Sequence, residues 1–183
     1  MEATVDQHSA FRALLELERL GRAHAAELPA QEEHQALWEG VAFRLGTRHF
    51  VSPMDQVVEL LRFPELAPVP RTRPWVRGIA NVRGNLLPVM DLSAYLEEMP
   101  ASLTRSSRVL VIDVDDVFTG LLVDEVFGMR HFQEDQRGGV PADLPANLEP
   151  YVNGSFGDAR GTSWLLFSME ALAHHPQFLK VAG

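Results

Sequence analysis

The sequence predicts a mainly β domain built from two similar small barrels, preceded by an amphipathic N-terminal helix. Three observations carry this reading. From Val41 onward, short apolar runs alternate with turns bearing Gly and Pro, the pattern of short strands. Two stretches of that β region repeat each other. The first thirty or so residues instead place apolar side chains at helical spacing.

Residues 9 to about 28 read as the helix. Ala10, Leu14, Leu17, Gly21 and Leu28 share a face, with Leu20 at its edge, and Arg12, Glu16, Arg19 and Glu27 lie opposite. Asp6 or Ser9 can cap its start, and Pro29 ends it. A polar stretch, AQEEHQALWEG, follows. Residues 1–39 therefore read as a helical extension and linker, and 40–183 as the main domain.

In the main domain, GVAFRLGTRHFVSPM reads as two strands turning at Gly46-Thr47, and VVELLRF as a third. IANVRGNLLPVMDL reads as two strands bent at Arg83-Gly84. Asp91 then caps a short helix, LSAYLEE, that stops before Pro100. RVLVIDVDDVFTGLLVDEVFGMRHF reads as strand, turn, strand and a continuation. WLLFS is a late strand, and Ser168 caps a last helix, MEALAHH, limited by Pro176.

The repeat is visible residue by residue. Pro74-Trp75-Val76-Arg77-Gly78 matches Pro150-Tyr151-Val152-Asn153-Gly154, and Arg83-Gly84 matches Arg160-Gly161. Asp91 aligns with Ser168, and Met54-Asp55-Gln56-Val57 with Val123-Asp124-Glu125-Val126. Units this short, made of short strands, are expected to close as small barrels. The first is expected over about 41–100 and the second over about 105–175, with exchange of strands between them allowed.

Composition bounds the function. Of 183 residues, 46% are apolar and 22% charged, ordinary values for a globular chain with a core. There is no cysteine, hence no disulfide framework and no thiolate nucleophile or metal ligand. The N-terminus, MEATVDQHSA, lacks the pattern of a secretory signal. No run approaches the roughly 18 apolar residues of a membrane span, so direct membrane insertion is not expected. A net charge of −9 disfavours nucleic acid as a partner. Against that balance, Arg62, Arg71, Arg73, Arg77 and Arg83 share one stretch with the single acid Glu65. Two readings stay open: arginines scattered over a solvated surface, or a cationic patch for an acidic protein partner.

A search for chemistry returns little. The histidines His8, His24, His34, His49, His131, His174 and His175 form no His-Glu-x-x-His and read as exposed or capping. Asp113, Asp115 and Asp116 lack the glycine and terminal glutamate of a calcium loop, and Asp115-Asp116 reads as a hairpin turn. No phosphate-binding glycine loop and no G-x-S-x-G elbow occurs. Ser52, Ser93 and Ser168 have strand, helix and cap explanations. No catalytic residue, metal or cofactor is expected.

Residues 75 to 92, WVRGIANVRGNLLPVMDL, resemble the central signature of the CheW-like chemotaxis coupling family, with Gly78, Asn81, Arg83, Gly84, Pro88, Asp91 and Leu92 in place. Gly120-Leu121-Leu122-Val123-Asp124-Glu125-Val126 resembles its second signature, and Val57-Val58-Glu59 and Val69-Pro70 its upstream elements. The resemblance covers about residues 40 to 175. The extension with its Leu28-Pro29-Ala30-Gln31 junction is similar to the branch of the family that serves type IV pili and twitching motility. The resemblance implies two interlocked five-stranded SH3-like barrels and a non-enzymatic cytoplasmic adaptor. The implied partners are the regulatory domain of a CheA-type histidine kinase and the cytoplasmic tip of a chemoreceptor. By the same resemblance, Val57, Glu59, Gly78, Asn81, Arg83 and Gly84 are expected at the receptor surface, and Gly120, Val123, Asp124 and Val126 at the kinase surface. A coupler for flagellar chemotaxis is an alternative. A small-barrel module binding extended peptides is another; it calls for exposed aromatics, of which only Trp75, Tyr151 and Trp164 stand out.

Overall fold

The computed structural model describes residues 37–97 and 99–183, Glu97 by its backbone alone. The expected helix over residues 9 to about 28 lies outside the described residues. The chain enters through β1 (Leu37–Leu45) and β2 (Arg48–Pro53), an antiparallel hairpin with Leu45 opposite Arg48. A 3-10 turn at Met54–Gln56 leads to β3 (Glu59–Arg62), then β4 (Val76–Val82), β5 (Asn85–Asp91) and helix α1 (Leu92–Glu97). A second pass follows with β6 (Arg108–Val114), β7 (Val117–Val123), β8 (Glu125–Gln133), the two-residue β9 (Arg137–Gly138), β10 (Val152–Gly157) and β11 (Ser163–Phe167). Helices α2 (Met169–Ala173) and α3 (Pro176–Leu179) complete it. Pro176 both limits the first of these helices and opens the next, where its missing N–H is not needed.

These strands form two sheets of matching order. One runs β8-β1-β2-β11-β10-β9 and the other β3-β6-β7-β5-β4. Both curl into SH3-like barrels. In the first, edge strand β8 continues through a 3-10 turn into the opposite edge, β9. In the second, the segment after edge strand β3 bridges the opposite edge through Ala67 and Ile79. The division near residue 100 expected for the barrels is not the division of the sheets. Hairpin β1–β2 joins strands of the second half of the chain, whereas β6–β7 joins strands of the first. Each barrel thus borrows a hairpin from the other half, joined by parallel pairs: β11 with β2, and β5 with β7. The chain crosses at Met54–Val58 and again at Asp124, the segments the repeat had aligned.

Exchange explains the apolar runs. Along β6, Val109 and Val111 fill the second barrel with Leu87, Val89 and Leu122, while Leu110 and Ile112 face a core between the barrels. Along β11, Trp164 and Leu166 fill the first barrel with Phe132 and Phe156, while Leu165 and Phe167 join the same shared core. A strand buried on both faces needs apolar residues without alternation.

The repeat recurs in atomic detail. The Asp91 N–H donates to the Trp75 carbonyl, as the Ser168 N–H does to the Tyr151 carbonyl. Asp91 Oδ1 caps α1 at the Ala94 N–H, and Ser168 Oγ caps α2 at the Ala171 N–H, both at 3.0 Å. Gly78 (φ +143°) and Gly154 (φ +150°) are buried where a Cβ would stand 2.5 Å from the Ala67 carbonyl oxygen and 2.7 Å from that of Gly138. Only glycine fits such a crossing at such an angle.

Candidate interaction surface

The turn between β4 and β5 has two residues, Arg83 and Gly84, between the paired Val82 and Asn85. Both have positive φ, 52° and 89°, the geometry of a type I′ hairpin. Asn81 stabilises it by accepting the Gly84 N–H on Oδ1 at 3.0 Å. The turn thrusts Arg83 into solvent, 78% exposed, where its Nη2 lies 2.7 Å from Glu59 Oε1 on β3. Asn81, Arg83, Gly84 and Glu59 thus make one patch, to which the exposed Leu86 adds an apolar side chain opposite Asn81. Leu86 had no signal of its own in the sequence.

Other expected site residues lie elsewhere. Gly78, expected at the receptor surface, is buried against the Ala67 backbone in a packing position. Val57 sits at the crossover, half-buried on the shared core. Val123 is fully buried, and Gly120 is buried where a Cβ would stand 2.6 Å from Val109 Cγ1. Neither presents a side chain to a kinase; they make close sheet packing possible. Asp124 is a clasp: its Oδ2 accepts the Gly46 N–H at 2.6 Å and lies 3.6 Å from Arg44, whose carbonyl accepts the Asp124 N–H. Val126 packs half-buried on the shared core. The arginine-rich stretch does not form a single patch. Arg77 lies 3.7 Å from buried Asp91, Arg73 lies over the Trp75 ring, and Arg83 is taken by Glu59.

Few groups here are set up for chemistry. A recess of about 490 Å³ places the Tyr95 hydroxyl 2.8 Å from both the Tyr151 hydroxyl and His175 Nδ1. Burial pushes both phenols above their ordinary pKa, with the Tyr95–Tyr151 hydrogen bond adding to the rise at Tyr95. Phenols held protonated are poor proton acceptors. Asp115, Glu170 and His174 bring three exposed donor atoms within 4.8 Å of one another, but His174 already pairs with Asp115 and the Glu170 carbonyl. Asp115 and Asp116 form the expected turn, both at positive φ. Trp75 is half-buried, and Tyr151 and Trp164 are enclosed. Among the described residues, no helix is long and apolar enough to cross a membrane.

The model of the CheW-like domain matches residues 39–177. The chain belongs to the CheW-like domain family. It is 45% identical to Protein PilI of Pseudomonas aeruginosa over 97% of this chain and 98% of that one. Protein FrzA of Myxococcus xanthus is 32% identical over 60% of this chain and 64% of its own. The crystal structure of scaffolding protein TtCheW from Thermoanaerobacter tengcongensis superposes with a TM-score of 0.68 at 18% identity, covering 80% of this chain and 98% of that one. The two exchanged barrels are therefore a CheW-like fold, and the Arg83 turn lies in the segment whose residues carry the family signature.

Proposed function

We propose that this CheW-like protein is a non-enzymatic cytoplasmic adaptor in the control of type IV pili and twitching motility. It couples a chemoreceptor to a CheA-type histidine kinase within membrane-associated receptor arrays. The observation that carries this is the 45% identity to PilI, which runs across nearly the whole of both chains. A module reading extended peptides is less well supported, because Tyr151 and Trp164 are enclosed and Trp75 is half-buried.

The patch of Glu59, Asn81, Arg83 and Gly84 is the receptor contact in this reading. An ion pair as exposed as Arg83–Glu59 is worth only about 0.2–1 kcal/mol to folding. A partner carboxylate that desolvates the same guanidinium can gain more, with bidentate geometry. The internal pair thus aims Arg83 without committing it. Kinase contact belongs to the crossover after β7, where Asp124 and Val126 are the less enclosed of the four expected residues. The chain then fixes the geometry of receptor and kinase, so that a shift in receptor state biases the kinase, with no chemical step of its own.

Gel filtration of the chain with a kinase regulatory domain and a receptor-tip fragment tests this. A ternary complex is expected, and failure to bind either partner contradicts the reading. Deleting the gene in a twitching host should abolish twitching and leave flagellar swimming intact. Loss of swimming alone would favour a flagellar coupler.

A further inference from the structure

At the far end of β3 from Glu59, the sheet opposes like charges. Arg62 pairs directly with Arg108 on β6, and both side chains emerge on the same face. Like charges directly opposite across strands destabilise a sheet. A third arginine, Arg105, lies in the adjoining loop and lines the same recess, about 410 Å³, with Arg62, Phe63, Thr104, Ser107 and Arg108. Among the described residues none of the three guanidiniums is in an ion pair, although the chain carries nine more negative than positive charges. Arg108 and the adjoining loop are also held in place. Arg108 Nη1 donates to the carbonyls of Arg105 and Ser107, both at 2.8 Å, and buried Ser107 locks the loop by accepting the Thr104 N–H. A second recess of about 440 Å³ shares Phe63 and is lined by Leu66, Pro74, Val76 and Leu103 together with the charged Glu65 and Arg77.

We infer that this face is a second docking surface, for an acidic protein segment that sets an apolar side chain beside two or more carboxylates. Carboxylates relieve the opposed arginines, which is charge complementarity the chain itself does not supply. The adjoining recess takes the apolar side chain, the arrangement of an interface anchor beside polar contacts. The apolar side chains of that recess, Phe63, Leu66, Val76 and Leu103, favour a protein segment over a free phosphate. The surface is separate from the Arg83 patch and goes beyond the coupling reading, since it holds whether or not the partner is a kinase or receptor.

The probe is a synthetic helical peptide with glutamates flanking a leucine, titrated against the full chain beside a copy with glutamine for glutamate. The wild type is expected to prefer the glutamate peptide by about tenfold, with affinity falling as salt rises. Arg62→Glu creates an opposite-charge cross-strand pair, so it should raise the melting temperature while weakening peptide binding about tenfold. Arg105→Gln should weaken binding with an unchanged melting curve, and Arg83→Glu should bind the peptide as the wild type does. No binding, equal binding of both peptides, or binding lost in Arg83→Glu but kept in Arg62→Glu overturns the inference. So does a recess filled by inorganic phosphate with no preference for the peptide, or a wild-type dimer that Arg62→Glu dissociates. Failure of the kinase and receptor assays leaves this result untouched.

Discussion

The two barrels repeat one backbone plan with different fillings and different hairpins. The first barrel is packed with Trp38, Phe132, Phe156 and Trp164, the second with Ala80, Leu87, Val89, Val109, Val111 and Leu122. Shared between them are the crossing glycines, the caps and the carbonyl contacts of Trp75 and Tyr151. Their matched Arg-Gly turns diverge most. At Asn81–Gly84 the arginine is at positive φ and reaches Glu59. At the second turn Asp158 takes over: it accepts the N–H groups of Arg160 and Thr162 at 2.9 Å and the Trp164 indole at 3.1 Å, and its own N–H bonds to the Thr162 carbonyl. The second turn satisfies its backbone through Asp158 and leaves the exposed Arg160 guanidinium outside any ion pair among the described residues, whereas the first aims its arginine at Glu59. Backbone-dictating residues mark what the fold requires twice, and differences between equivalent turns mark what only one barrel has to do.

The largest effects should come from the glycines common to both. Gly78→Ala and Gly154→Ala each force a Cβ into a backbone carbonyl at a strained φ, and each should cost about 3 kcal/mol in urea unfolding. Gly161→Ala, with open space around it and φ +79°, should cost only about 1 kcal/mol. Equal losses at all three would show that conformation, not the close crossing, decides.

The caps sharpen the contrast next. Asp91 is fully buried and also accepts the Ala101 N–H on Oδ2, whereas Ser168 Oγ accepts only the Ala171 N–H. Asp91→Ala should therefore cost about 3 kcal/mol and Ser168→Ala about 1 kcal/mol, read from the same denaturant curves.

How far the sequence reveals this depends on the range of the interaction. Hairpins β1–β2, β4–β5 and β6–β7 were legible because their turn residues and apolar runs are local. Strand β10 was not read as a strand, and only the Pro-Tyr-Val-Asn-Gly match marked its place. The exchange was allowed, and implied by the family resemblance, but the residues alone did not place it, because Met54–Val58 and Asp124 read alike whether the next strand stays in its own sheet or crosses. At the candidate surface, the Arg83 turn was legible from Asn81 and Gly84, but its pairing with Glu59 depends on barrel closure. Gly78, Gly120 and Val123 stood out as motif residues, and a motif does not distinguish packing from contact.

A smaller, pH-dependent difference separates the two turns. Hydrogen bonds from the Thr162 backbone and the Trp164 indole, with a further one from Arg160, lower the Asp158 pKa to about 2 from 3.8. A depressed carboxylate stabilises the fold above its unfolded pKa, and that contribution is lost as pH falls from about 4 to about 2. Asp158→Asn should flatten the melting temperature across that window, whereas Asn81→Ala should leave its slope unchanged. An unaltered slope in Asp158→Asn would remove Asp158 as the organiser of its turn.

In the proposed reading, Arg83 meets the receptor and the fold does not need it. Paired titration tests it most directly, with Arg83→Glu measured against a receptor-tip fragment and a kinase regulatory domain, beside melting curves. A receptor loss of about 2–5 kcal/mol is expected, with kinase affinity and melting temperature near wild type. Equal weakening toward both partners, or a sharply lower melting temperature, would make Arg83 a structural residue and rule out its receptor role.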